Sequence, residues 1–168
     1  MLTRRPTPRL PTFTSGNASG ETCFFIHGWP DNKELWSLQL AHLASRYRLV
    51  CVDLPHFGAR IPGVSKWGYD LDELTEMCAE ALLRSLREAG QSKATLVIHD
   101  WGAVVGMMLQ RRFPHLVSRM VILDVEWSER QNSPLQTFAM GLAYQYYLAF
   151  AWLLAACVPV LGVPMGNV

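Results

Sequence analysis

Short uninterrupted apolar runs alternate along the chain with longer segments in which apolar residues recur every three or four positions. The runs are Cys23-Phe24-Phe25-Ile26, Leu49-Val50-Cys51-Val52 and Thr95-Leu96-Val97-Ile98, with a fourth strand held in the stretch from Val117 to Val125. A brief apolar run closed by turn residues is the pattern of a strand buried on both faces. Between the first two runs, Asp31 or Asn32 can cap a helix reaching about Ser45, with Leu35, Trp36, Leu38, Leu40 and Leu43 as its buried positions. Asp70 caps a longer helix whose Leu71, Leu74, Met77, Cys78, Ala81, Leu82 and Leu86 fall at helical spacing, and Gly90 ends it. A third helix is expected from about Ala103 to Phe113, stopped near Pro114. Strand and helix thus alternate four times. The fold class this predicts is α/β, with a parallel sheet of about four strands flanked by helices.

The flanks differ in character. Residues 1–21, rich in Pro, Thr, Ser and Gly, read as an extended or flexible lead-in to a core over 22–126. Beyond the core, residues 127–168 read as an apolar helical cap or lid, and no Asp, Glu, Lys or Arg occurs between Gln131 and Val168. The stretch 142–163 is long enough to be weighed as a membrane segment, for which about 20 apolar residues suffice. Gln145 and Pro159 interrupt it, which favours a buried or lid helix over a spanning one.

Composition narrows the possibilities. Half of the 168 residues are apolar and 17% are charged, which suits a packed core. A formal net charge of +1, with Lys and Arg scattered, offers no field to hold nucleic acid. Cys23, Cys51, Cys78 and Cys157 form no C-x-x-C pair and have no His at zinc-ligand spacing, so neither a metal nor a cofactor is expected. They read as reduced core thiols of an intracellular, cytoplasmic protein. The N-terminus, Met1-Leu2-Thr3-Arg4-Arg5 followed by a Pro-rich stretch, lacks the apolar core of a secretory signal.

Two short motifs carry the candidate chemistry. His27-Gly28-Trp29-Pro30 directly follows the first run, and His99-Asp100-Trp101-Gly102 lies between the third run and its helix. Ligands of parallel sheets bind at the carboxyl ends of strands, where both turns fall. Asp100 occupies a strand-to-helix turn of the nucleophile-elbow kind, from which a carboxylate can attack an electrophilic carbon and form an ester. Asp also caps helices, and on the tetrapeptide alone that bland role is as good a reading. The pairing of the two motifs in this topology favours the nucleophile. The backbone N–H groups of Trp29 and Trp101 are the candidate oxyanion hole, whereas His27 and His99 read as structural partners of the turn backbone.

The run His27-Gly28-Trp29-Pro30-Asp31, Trp36, Val52-Asp53-Leu54-Pro55-His56-Phe57-Gly58 and His99-Asp100-Trp101-Gly102-Ala103 resembles the epoxide hydrolase and haloalkane dehalogenase branch of the α/β hydrolases. The likeness covers roughly residues 22–125. It implies that Asp100 attacks carbon, that the N–H groups of Trp29 and Trp101 line the oxyanion hole, and that the substrate is a small hydrophobic electrophile. An aromatic residue after His-Gly is closer to the epoxide hydrolases. The resemblance also implies cap tyrosines that polarise the epoxide oxygen, for which Tyr144, Tyr146 and Tyr147 are candidates. Tyrosine on an apolar helix is, however, most often a packing residue.

The chain departs from the family pattern in three places. Ile98 stands two residues before the nucleophile where a small residue is usual, and its bulk is expected to crowd the elbow. Ala59-Arg60-Ile61-Pro62 replaces the usual Ser- and Pro-containing continuation of the loop. The family's general-base His and its supporting acid are expected on late strands, and His115, the last histidine, lies far from where a base must sit. The expectation is a truncated hydrolase in which an ester at Asp100 forms without turning over. Two alternatives stand beside it, an inactive module that binds a hydrophobic ligand or partner, and a protein anchored in a membrane through 142–163. A serine esterase is disfavoured because no Ser occupies the elbow. The oligomeric state is left open.

Overall fold

The computed structural model describes residues 8–57, 61, 64–65, 68–123, 142–143, 146–147 and 150. It divides into two compact units, Met1–Val125 and Glu126–Val168. The first holds a five-stranded sheet: β1 (Thr12–Gly16), β2 (Thr22–Ile26), β3 (Arg48–Val52), β4 (Ala94–His99) and β5 (Val117–Leu123), in the order β1-β3-β2-β4-β5. β2, β3, β4 and β5 run parallel, as the four apolar runs predict. β1 is added antiparallel along β3, pairing Thr12 with Val52 through Gly16 with Arg48. It lies inside the segment read as a lead-in. As an edge strand it is only half covered, so it carries none of the apolar run that marks its neighbours.

Alternation along each central strand separates two core layers. Phe24, Ile26, Val50, Val52, Leu96 and Ile98 point to one face, which is covered by helices α2 (Leu71–Ala89) and α3 (Trp101–Arg112). Cys23, Phe25, Leu49, Cys51 and Val97 point to the other, where Trp36 closes the layer. There the expected single helix is a 3-10 turn, Lys33–Trp36, running into the short helix α1 (Ser37–Leu43). Asn32 caps the 3-10 turn by accepting from the Glu34 N–H at 2.8 Å. Of the five positions expected to be buried on this segment only Trp36 is, and Leu38 is 80% exposed. Leu35, Leu40 and Leu43 pack partly buried against this layer, whereas Leu38, two positions from Trp36, falls on the opposite side of a 3.6-residue turn and faces outward.

Helix α2 begins and ends where its signals place it. The Asp70 side chain accepts from the Glu73 N–H at 2.7 Å and the Glu73 carboxylate accepts from the Asp70 N–H at 3.0 Å, a reciprocal capping box. Gly90 closes the helix in the left-handed region at φ 63°. At the far side of the sheet β5 has no further strand beside it among the described residues, and Val121, Ile122 and Leu123 are 39–45% exposed. In the second unit residues 142–143, 146–147 and 150 are helical. Among the described residues no helix is long and apolar enough to cross a membrane, and residues 144–145, 148–149 and 151–163 of the candidate segment lie outside them. Cys23, Cys51 and Cys78 are buried free thiols, each raised by burial, to about 11 for Cys23 and about 12 for the other two. Cys157 lies outside the described residues.

Candidate active site

β2 and β4 are neighbours although β3 intervenes in the chain, so successive crossovers leave this pair toward opposite edges of the sheet. The crevice at the carboxyl ends of such a pair is the usual ligand site of an open parallel sheet. Ile26 of β2 is the registered partner of Ile98 of β4. Two residues beyond each, Gly28 and Asp100 therefore face one another. A Cβ on Gly28 would run into the Asp100 carboxylate, so the carboxylate fits only because position 28 has no side chain.

Asp100 sits at φ 52°, ψ −127°, with Trp101 opening α3 immediately after it. This is a sharp strand-to-helix turn with an L-residue at its apex, as in a nucleophile elbow. The Asp100 Oδ1 accepts a hydrogen bond from the Trp29 backbone N–H at 2.9 Å. Trp29 and Trp101, at 40% and 41% exposure, lie at the open side of the site. The Trp101 N–H is one of the first-turn donors of α3 that an α-helix leaves without an internal partner. The bulk of Ile98 does not disturb this turn. Its side chain is fully buried and its Cγ2 lies where a Cβ on Gly106 of α3 would be, so the missing side chain at 106 makes the room.

Around the turn lies a set of contacts that the motifs alone do not disclose. His27 is fully buried, its Nδ1 2.9 Å from the Gly28 carbonyl and its Nε2 accepting from the Leu54 N–H at 2.9 Å. Burial pushes the imidazole below its ordinary value of 6.5. With both ring nitrogens committed to backbone, His27 holds the turn, in the role expected of it. Asp53, at the end of β3, accepts from Lys33 twice, from its backbone N–H at 2.8 Å and its ammonium at 3.1 Å. That hydrogen bond raises Lys33 above the ordinary lysine value, and the pair fastens the segment after Pro30 to the end of β3. The nearest sequence signal for this pair is the charged Asp53 directly behind a buried run. His99 packs edge-on against Trp36, their ring centroids 6.3 Å apart.

Of the candidate cap tyrosines, Tyr146 and Tyr147 are helical and exposed at 74% and 58%. Tyr144 lies outside the described residues. Among the described residues no group of His, Cys, Asp and Glu could hold a metal ion.

Comparison with known proteins shows the family and the fold. The family described as alpha/beta hydrolase fold matches residues 24–156. Epoxide hydrolase 3 of Mus musculus is 32% identical over 116 residues, covering 69% of this chain and 30% of the relative. Epoxide hydrolase 4 of Homo sapiens is 28% identical over 151 residues, covering 86% of this chain and 40% of the relative. The chain therefore spans well under half the length of the curated relatives it matches. Among solved structures, an epoxide hydrolase from Vigna radiata superposes with a TM-score of 0.67 at 26% identity, over 93% of this chain and 53% of its own. An inhibitor complex of the Bacillus megaterium epoxide hydrolase gives 0.51 at 28% identity, over 67% and 38%. The chain belongs to the α/β-hydrolase family, and its likeness within that family runs to the epoxide hydrolases.

Proposed function

We propose that the chain carries the nucleophile half of an epoxide hydrolase site, with Asp100 as the attacking carboxylate and a small hydrophobic epoxide as substrate. The observation that carries this reading is the Trp29 N–H bonded to Asp100 Oδ1 at the apex of a strained elbow. That bond engages one carboxylate oxygen and leaves Oδ2 as the attacking atom. Attack by Oδ2 on a ring carbon breaks the carbon–oxygen bond of the epoxide and forms an alkyl ester on Asp100. The ring oxygen leaves with the electron pair and takes a proton, for which Tyr144, Tyr146 and Tyr147 are the candidate donors. Water then adds to the ester carbonyl, whose oxygen is Oδ1 and becomes the oxyanion. The Trp29 N–H already points at it, and the Trp101 N–H is its proposed second donor. One such donor is worth about 10²–10³ in rate. Release of the diol needs a general base for that water. In this reading the base comes from a segment outside the 30–40% of the relatives' length that the chain spans.

The test is covalent capture. The purified chain is incubated with styrene oxide, followed by intact mass and peptide mapping. One adduct per chain, mapping to Asp100 and absent from Asp100→Asn, is the expected outcome. Capture undiminished in Asp100→Asn would remove Asp100 from the nucleophile role. A wild-type chain that binds the epoxide without forming an ester would replace catalysis with a ligand-binding module.

A further inference from the structure

The Gly28 carbonyl and the Trp29 N–H belong to one peptide unit, and both ends of that unit are held. The carbonyl oxygen lies 2.9 Å from His27 Nδ1, and the N–H donates to Asp100 Oδ1 at 2.9 Å. The peptide is planar and trans, so its C=O and N–H point in opposite directions and cannot turn independently. Fixing the oxygen aims the hydrogen. We infer that His27 is a positioning residue that sets the oxyanion donor by gripping the Gly28 carbonyl, which turns the Trp29 N–H toward Asp100. The inference rests on the nucleophile reading for its catalytic meaning, but not for its geometry.

Three features support the grip. A carbonyl oxygen only accepts, so Nδ1 must carry the ring proton. A backbone N–H only donates, so Nε2, which receives the Leu54 N–H, must be bare. Two independent backbone partners thus demand the same neutral tautomer. The ring is also fully buried, with the Phe57 ring centroid 6.2 Å away, and Leu54 ties it to the end of β3. Finally, the Gly28 oxygen accepts from the Asp31 N–H at 3.1 Å, so the turn closes on the same atom that His27 holds. The side chain therefore acts on Asp100 through a single rigid unit and does not reach the substrate.

Two substitutions separate gripping from space-filling. The amide nitrogen of Asn sits where Nδ1 does, so His27→Asn keeps the donor to Gly28. His27→Gln extends its amide to the Nε2 region and gives that donor up. Amide hydrogen exchange at Trp29 reads the bond directly, with the α2 amides reporting on the fold. The expected result is protection at Trp29 near wild type in His27→Asn and reduced about tenfold in His27→Gln, the scale of one hydrogen bond. Styrene oxide capture should fall in step. Equal Trp29 protection in the two folded variants would overturn the inference. If neither variant folds, the wild-type ring decides: nitrogen NMR should find the proton on Nδ1, and a proton on Nε2 would overturn it. Capture at a residue other than Asp100 would sink the nucleophile reading while leaving the exchange result standing.

Discussion

Asp100 holds a positive φ of 52° without the freedom of glycine, a conformation that costs an L-residue roughly 1–3 kcal/mol. The surroundings offset that cost: the Trp29 N–H grips the carboxylate, and Gly28 leaves it room. His27 makes a second demand, because its neutral form is the one the fold accepts. Burial lowers its pKa, the Asp53 and Asp31 carboxylates pull the other way, and Lys33 adds to the lowering. The sign follows from linkage. An unfolded histidine binds its proton below about 6.5, whereas the folded one resists until the pH is lower, so the unfolded chain holds more protons in between. Stability from this residue is complete above 6.5 and is lost as the pH falls toward the depressed value, by at most about 1.4 kcal/mol per pH unit. Urea midpoints on either side of 6.5 should show this loss. Subtracting the same pair for His27→Asn removes the carboxylates' contribution, and an unchanged slope in the variant would assign the dependence elsewhere.

Elements fit one another here by exchanging volume. Ile98 of β4 fills the space that Gly106 of α3 leaves, with Cγ2 2.6 Å from where a Cβ would stand. Gly106→Ala gains about 1 kcal/mol of helix propensity, but overpacks a buried contact at about 1–3 kcal/mol, so it should be net destabilising. In an Ile98→Ala background the same change should be neutral or stabilising. A double-mutant cycle by urea unfolding measures the difference, and additive effects would refute the fit. Sequence periodicity reaches this level unevenly. The four parallel strands, the Asp70 cap and the Gly90 stop of α2 were legible because each rests on a local pattern. β1 was not, since Thr12, Thr14 and Ser15 acquire their strand only by pairing with β3. Leu38, apolar yet exposed, departs from its expected burial because it stands two positions from Trp36, off the helix face that Leu40 and Leu43 share. For the site, the two motifs announced Asp100 and Trp29 as neighbours, whereas the fit of Ile98 against Gly106 and the clamp of Lys33 on Asp53 exist only between segments distant in sequence.

For the molecule as a whole, the uneven feature is the sheet's last strand. β5 pairs with β4 on one side, while Val121, Ile122 and Leu123 keep close to half their surface in water. An exposed apolar edge invites pairing with another chain. Sedimentation should therefore show association that grows with concentration, and Val121→Lys should shift the population toward monomer. Identical sedimentation of the two would mean that the edge makes no such contact. The same topology bears on the order of synthesis. The five strands of the described residues, the Asp100 elbow and the Gly28–Trp29 peptide come from residues 12–123. A chain leaving the ribosome thus carries these parts ahead of the long apolar stretch behind them. N-terminal units tend to fold first during synthesis, so the Asp100 turn is set before the residues that follow Leu123 have been made.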